Sequence, residues 1–272
     1  MSSSDTGSAG WSFAAEGRAF AAAFTFMTRI PLWRWIAHDL SDLPRSATWF
    51  PLVGAVVGAV GAIVFLLADQ WWSSLIAALL STVATVRLTG AFHEDALADS
   101  LDGFGGGWTP EQVLTIMKDS RVGSYALVGM ILAVVTKCVV LAEFSGAQAA
   151  AALIAAHTLG RCASVWLIAA LPYVRPAESA ERPSAGRPFV DGVHRGRIMA
   201  ATIASAIVVT LCLGEVALPA ITLALLLTAA SGRYFRRRIG GITGDALGAV
   251  NQLVELGVYL MLAAAPVRGW LA

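Results

Sequence analysis

Long apolar runs alternate with short polar ones along this chain, and the polar runs are of two kinds. The apolar runs cover Phe50 to Leu67, Trp71 to Val86, Tyr125 to Leu141, Ala147 to Leu171, Ile198 to Leu213, Ala220 to Ser231 and Ala246 to Ala265. A helix rises about 1.5 Å per residue and needs roughly 20 apolar residues to cross a bilayer, so each run predicts a membrane helix or most of one. Residues Trp11 to Met27 carry only Glu16 and Arg18 as charges and predict a shorter helix, half-buried or interfacial, stopped by Pro31. The expected fold is all-α: a polytopic integral membrane helical bundle of about 6–8 transmembrane helices. It forms a single integral membrane domain over residues 11–272 behind a disordered N-terminal tail, residues 1–10. That tail is small and polar without Lys or Arg, which is unlike a cleaved signal peptide.

The two kinds of polar run set an orientation. The short turns near Asp69, Glu143 and Glu215 are acidic and hold no Lys or Arg. The segments between them carry Arg34, Arg45, Arg87, Lys118, Arg121, the arginines of residues 175–197, and Arg233, Arg236, Arg237 and Arg238. Excess Lys and Arg marks the cytoplasmic side. The polar segments 88–123, 172–197 and 233–245 are therefore expected on one cytoplasmic face, with Arg268 outside. Gly54, Gly58 and Gly61 share a face of the first clear span and predict close packing on a neighbouring helix.

Composition agrees. The chain of 272 residues is 57% hydrophobic and 14% charged, against about 45–50% and about 25% for a soluble domain. A net charge of +1 gives no field favouring nucleic acid, and none is expected as a partner. Cys138, Cys162 and Cys212 each stand alone in an apolar run and read as small buried hydrophobes.

Much of the charge sits in one stretch, Leu88 to Gly123, between apolar segments. It holds His93, Glu94, Asp95, Asp99, Asp102, Lys118, Asp119 and Arg121. Charge next to membrane spans is costly and points to function. Asp95, Asp99 and Asp102 are spaced four and three apart, which puts them on one helix face. Three like charges repel unless a cation sits among them, and carboxylate and phosphate oxygens are what Mg²⁺ takes. Gly103 to Gly107 is expected to end that helix, and Thr109-Pro110 to cap the next, which ends in Lys118-Asp119-Ser120-Arg121. These cations, carboxylate and hydroxyl suit a phosphate ester with a metal. Asp245, opening the last helix after Gly244, reads either as an N-cap or as a metal ligand. His93 is open between a general base and a structural histidine. Arg161, inside the fourth span, either pairs with a carboxylate or contacts phosphate. His157 reads as structural, and Lys137 as snorkelling or paired internally.

These residues resemble a known family. Phe92-His93-x-Asp95-x₃-Asp99-x₂-Asp102-Gly103 is similar to its FHxDGxADxxDG motif, and Ile116-Met117-Lys118-Asp119-Ser120-Arg121-Val122-Gly123 to its IMRDSRxG motif. Gly240-Gly241-Ile242-Thr243-Gly244-Asp245-Ala246-Leu247-Gly248 resembles GGQTGDxLG; Thr28-Arg29-Ile30-Pro31 and Phe50-Pro51-Leu52-Val53-Gly54 match two further signatures. The family is the cobalamin synthases, adenosylcobinamide-GDP ribazoletransferases. Glu94 departs from a usual apolar residue, Ala96 from Gly, Ile242 from Gln and Gln252 from a frequent Glu. The resemblance implies an Mg²⁺-dependent phosphotransferase of the bacterial inner membrane, its site facing the cytoplasm. The ribose hydroxyl of α-ribazole, or of its 5′-phosphate, attacks the cobinamide-bound phosphate of adenosylcobinamide-GDP, and GMP leaves. On that reading Asp95, Asp99, Asp102, Asp119 and Asp245 are metal ligands. Asp102, by preference, or His93 takes the hydroxyl proton. Arg29, Lys118, Ser120, Arg121, Arg161 and Gly244 contact substrate. Besides these small molecules the partners expected are the lipid bilayer and, from the glycine stripe, a second copy of the chain.

Two other readings fit a run of aspartates at a membrane face. A phosphotransferase acting on CDP-linked alcohols has Gly and Arg at set places between its aspartates, which this chain lacks. A cation-coupled transporter carries its charges on broken helices at mid-membrane, whereas here the carboxylates cluster in one polar segment.

Overall fold

A computed structural model describes residues 12–37, 42–174 and 193–264. Eleven α-helices occur among the described residues: α1 (Phe13–Met27), α2 (Leu43–Ser46), α3 (Phe50–Ala68), α4 (Ser74–Thr89), α5 (Phe92–Gly106), α6 (Pro110–Ile116), α7 (Ser124–Ala142), α8 (Gly146–Ala170), α9 (Arg195–Leu213), α10 (Ala217–Ile239) and α11 (Gly244–Ala263). The only β contact among them is an isolated parallel bridge between Tyr173 and Ile242. The expected tail at residues 1–10, the arginines of residues 175–192 and Arg268 lie outside the described residues.

Five helical segments are long and apolar enough to cross a membrane, and six if the bent pair α4–α5 counts as one. One of the five, Arg195–Ile239, is 45 residues long, roughly 67 Å of helix at about 1.5 Å per residue, which is far more than one crossing needs. It is a hairpin. Thr202 of α9 accepts a hydrogen bond from Trp166 of α8, while Gly232 of α10 faces Leu167 and Leu171 of the same α8. Both helices therefore flank one end of α8, and Gly214, at φ 55°, sits in the turn between them.

The centre of the bundle is α8. Within its apolar window 83% of residues are buried, against 28% for α7 and 22% for the α9–α10 hairpin. The sequence explains the difference, since α8 is built largely of Ala, Gly and Ser and lets neighbours approach closely. The glycine stripe of α3 uses this. A Cβ at Gly58 would come within 2.6 Å of the Leu153 carbonyl oxygen, and one at Gly54 would overlap the His157 backbone. The stripe packs within the chain, on α8 and, through Gly61, on Ser81 and Thr85 of α4.

One break organises the site. Helices α4 and α5 meet at 90°, across Gly90 (φ 70°) and Ala91 (φ 60°), both left-handed. Two such residues in succession stop a right-handed helix, and the chain leaves α4 with a new direction and its acidic residues in α5. The Arg29 side chain lies against Gly90, where a Cβ would overlap it, and the Arg29 N–H donates to the Leu88 carbonyl at 2.8 Å.

Several local expectations are corrected. The acidic helix ends inside the Gly103–Gly107 stretch, as expected, but at its far end: α5 runs to Gly106, where Arg238 of α10 braces it by donating to the carbonyls of Phe104 (3.2 Å) and Gly107 (2.7 Å). The next helix ends at Ile116, before Lys118. Its start is as expected, with a reciprocal capping box between Thr109 and Gln112. The cap of α11 is Thr243, whose hydroxyl accepts from Ala246 N–H at 3.1 Å, so Asp245 is not the N-cap. The polar residues Asn251, Gln252 and Glu255 lie inside α11 with their side chains buried.

Candidate active site

The face of α5 that carries Asp95, Asp99 and Asp102 meets the first turn of α11. A glycine at 248 makes this possible: a Cβ there would run into Ala96 of α5. The charges of Asp245, Asp95 and Asp102 all act on the Asp99 carboxylate, and those of Asp95 and Lys118 act on Asp245. Side chains from three separate stretches of sequence thus come together, as the spacing of the aspartates suggested for α5 alone. Asp95 is exposed and Asp99, Asp102 and Asp245 are half-buried. The cluster is open to solvent on one side, as a site for a large polar substrate must be.

The members differ in what else they do. Both oxygens of Asp102 are engaged: Oδ2 accepts from Gly123 N–H at 2.6 Å and Oδ1 from Ala126 N–H at 2.9 Å. Asp102 thereby caps α7 from a neighbouring helix and satisfies N–H groups that have no partner inside that helix. Asp119 is clasped by Arg121, whose backbone N–H donates at 3.0 Å and whose Nε donates at 2.9 Å to the same oxygen. Those hydrogen bonds hold the half-buried Asp119 carboxyl down to about 2. It is ionised throughout the neutral range, next to a guanidinium that is itself at the surface. Lys118 and Ser120 are exposed, and Gly244 lies half-buried at the start of α11.

Behind the aspartates lies a second set of charges, sealed from solvent. Lys137 of α7 and Glu255 of α11 are 2.6 Å apart, with side chains 7% and 0% exposed. His157 Nδ1 lies 3.1 Å from the other Glu255 oxygen and 3.1 Å from Arg161 Nη1. Lys137 also donates to Gln252 at 3.2 Å, and Gln252 donates to Glu94 at 3.0 Å. Arg161 is 1% exposed, donates to the His157 carbonyl at 3.1 Å and feels the charges of Glu255 and Glu94. His93 is buried under the charges of Arg161, Glu255, His157 and Lys137. Lys137 is therefore paired internally, and His157 and Arg161 belong to the same network. The sequence marked Glu94 and Gln252 only as departures from the family's motifs and gave neither them nor Glu255 a role. The available signal was that a lone Lys and a lone Glu inside apolar helices require one another.

Among the described residues no three His, Cys, Asp or Glu side chains form a ready-made metal centre. Mg²⁺ does not require one; it is typically held by one or two carboxylates together with waters and substrate phosphates. The carboxylates of Asp95 and Asp99, with no hydrogen bond among the described residues and like charge around them, fit that donor set.

Comparison with known proteins fits this geometry. A family model described as cobalamin-5-phosphate synthase matches residues 19–263. A protein of Leptothrix cholodnii named adenosylcobinamide-GDP ribazoletransferase is 42% identical over 261 residues, covering 94% of this chain and 96% of that protein. One of Shewanella baltica with the same name is 42% identical over 251 residues, covering 89% and 92%. No solved structure matches. With the aspartate face, the Lys118–Arg121 turn and the Thr243–Asp245 helix start all inside the matched span, the chain belongs to the cobalamin-5-phosphate synthase family.

Proposed function

We propose that the protein joins α-ribazole or its 5′-phosphate to adenosylcobinamide-GDP, releasing GMP and forming adenosylcobalamin or its phosphate. The observation that carries this reading is the meeting of Asp95, Asp99 and Asp102 with Asp245 and Lys118. Phosphoryl transfer asks a protein for alignment and charge neutralisation more than for covalent chemistry, and this cluster offers both. Asp95, Asp99 and Asp245 hold Mg²⁺, which neutralises the diphosphate when bound. Lys118 and Arg121 cover the remaining phosphate charge. The ribose hydroxyl forms a P–O bond to the cobinamide-bound phosphate as the bond to the GMP phosphate breaks, and the hydroxyl proton passes to a carboxylate. We place that proton on Asp99 or Asp95, because both Asp102 oxygens already accept from α7. The basic end of the bundle faces the cytoplasm of a bacterial inner membrane, where nucleotide substrates are found.

The test is release of GMP when purified protein is given adenosylcobinamide-GDP, Mg²⁺ and either α-ribazole or its 5′-phosphate. Release dependent on the ribazole compound is expected; no release with either overturns the reading.

A further inference from the structure

The outward face of α10 holds a feature that the aspartate site does not use. A cavity of 360 Å³ opens between the C-terminal half of α8 and the last turns of α10. Its walls are apolar, from Leu167 and Leu171 on α8 and Leu225 and Ala229 on α10, while Arg233 and Arg236 stand at its edge. The two arginines are three residues apart and so share a helix face. Both are exposed, and neither guanidinium has an ion-pair or hydrogen-bond partner among the described residues. Arg238, two residues past Arg236, is different. It points to the opposite side, donating to Phe104, Gly107 and Tyr234, and is part of the brace on α5. Of the four arginines at this helix end, Arg238 holds the site helix, Arg237 is exposed outside the cleft lining, and Arg233 and Arg236 stand over the apolar cleft.

We propose that this cleft is a site for an anionic phospholipid. The headgroup phosphate lies between Arg233 and Arg236, and an acyl chain runs along the groove towards Leu225. The spacing suits such a molecule: Leu225 to Arg236 is eleven residues, roughly 16 Å of helix, reaching from headgroup depth into the hydrocarbon. Basic pockets between membrane helices at the cytoplasmic side recognise anionic headgroups through charge and hydrogen bonding together. In the most apolar 18-residue window of that hairpin only 22% of residues are buried within the chain, so lipid is the natural neighbour of that window. Gly232 fits the same picture. A Cβ there would meet Leu167 at 2.9 Å, so glycine brings α10 against α8 at the floor of the cleft.

The experiment compares wild type, R233Q/R236Q, A229W and R237Q, purified in mild detergent and incubated with phosphatidylglycerol or phosphatidylcholine. Retained lipid is read by native mass spectrometry. Wild type and R237Q are expected to retain phosphatidylglycerol at least tenfold over phosphatidylcholine, and R233Q/R236Q and A229W to lose that excess. Equal retention across the four proteins, or of the two lipids, overturns the proposal. Should either cleft variant fail to fold, wild type alone decides: a rise in Tm with phosphatidylglycerol supports the site. The same rise with phosphatidylcholine or inorganic phosphate overturns it.

Discussion

Lys137 and Glu255 face each other at 2.6 Å across α7 and α11, both buried. Removing one partner of such a pair strands the other charge, at about 3–5 kcal/mol, whereas removing both together is often close to neutral. Lys137→Met is therefore expected to lower the unfolding midpoint sharply, and the double change Lys137→Met with Glu255→Gln to restore part of it, since Glu255 also faces His157 and the charge of Arg161. Equal loss in single and double variants, measured by thermal unfolding in detergent, would contradict the pairing.

Asp99→Asn and Asp95→Asn are expected to reduce GMP release by at least about a hundredfold, the scale of losing one electrostatic contact in a transition state, with the unfolding midpoint unchanged. EDTA should abolish wild-type release, and added Mg²⁺ should restore it. Activity surviving chelation would remove the metal from the site.

Asp102→Asn separates two roles. The amide keeps one acceptor but turns an N–H₂ towards Gly123 or Ala126, so α7 loses a cap bond worth about 0.5–2 kcal/mol. A measurable drop in stability is expected in addition to any loss of activity, unlike Asp99→Asn. Unchanged stability would mean the cap is dispensable.

Gly58→Val tests the helix contact. The new side chain has the Leu153 carbonyl at 2.6 Å and Ile154 Cα at 2.7 Å from its Cβ. Overpacking of this kind costs about 1–3 kcal/mol. The variant should unfold earlier than Gly17→Ala, whose position is open; equal midpoints would mean α3 and α8 are not pressed together there.

What the sequence could convey follows from the range of each interaction. Helices were readable because hydropathy is local: the run Tyr125 to Leu141 became Ser124–Ala142, and Ala147 to Leu171 became Gly146–Ala170. The common face of Asp95, Asp99 and Asp102 came from helical spacing, and the Thr109 cap from its own four residues. Glycine composition located the end of α5 only to within the stretch 103–107; the helix persists to Gly106, braced by Arg238, more than 130 residues away in sequence. Gln252 and Glu94 are 158 positions apart, and no periodicity within either helix announces that pair. The same holds for Arg197 and Trp49, which both donate to Glu16 and tie α1 to the bundle. Such contacts exist only once helices have been placed.

The clasp of Asp102 on Gly123 makes the intervening twenty residues a closed ring, pinned near its other shoulder where Arg238 holds Gly107. Closing a loop has an entropic cost that falls either on folding or on ligand arrival. Here it falls on folding. On the function proposed above, a nucleotide reaching Lys118 and Arg121 would meet cations already gathered, leaving more of its contact energy for affinity.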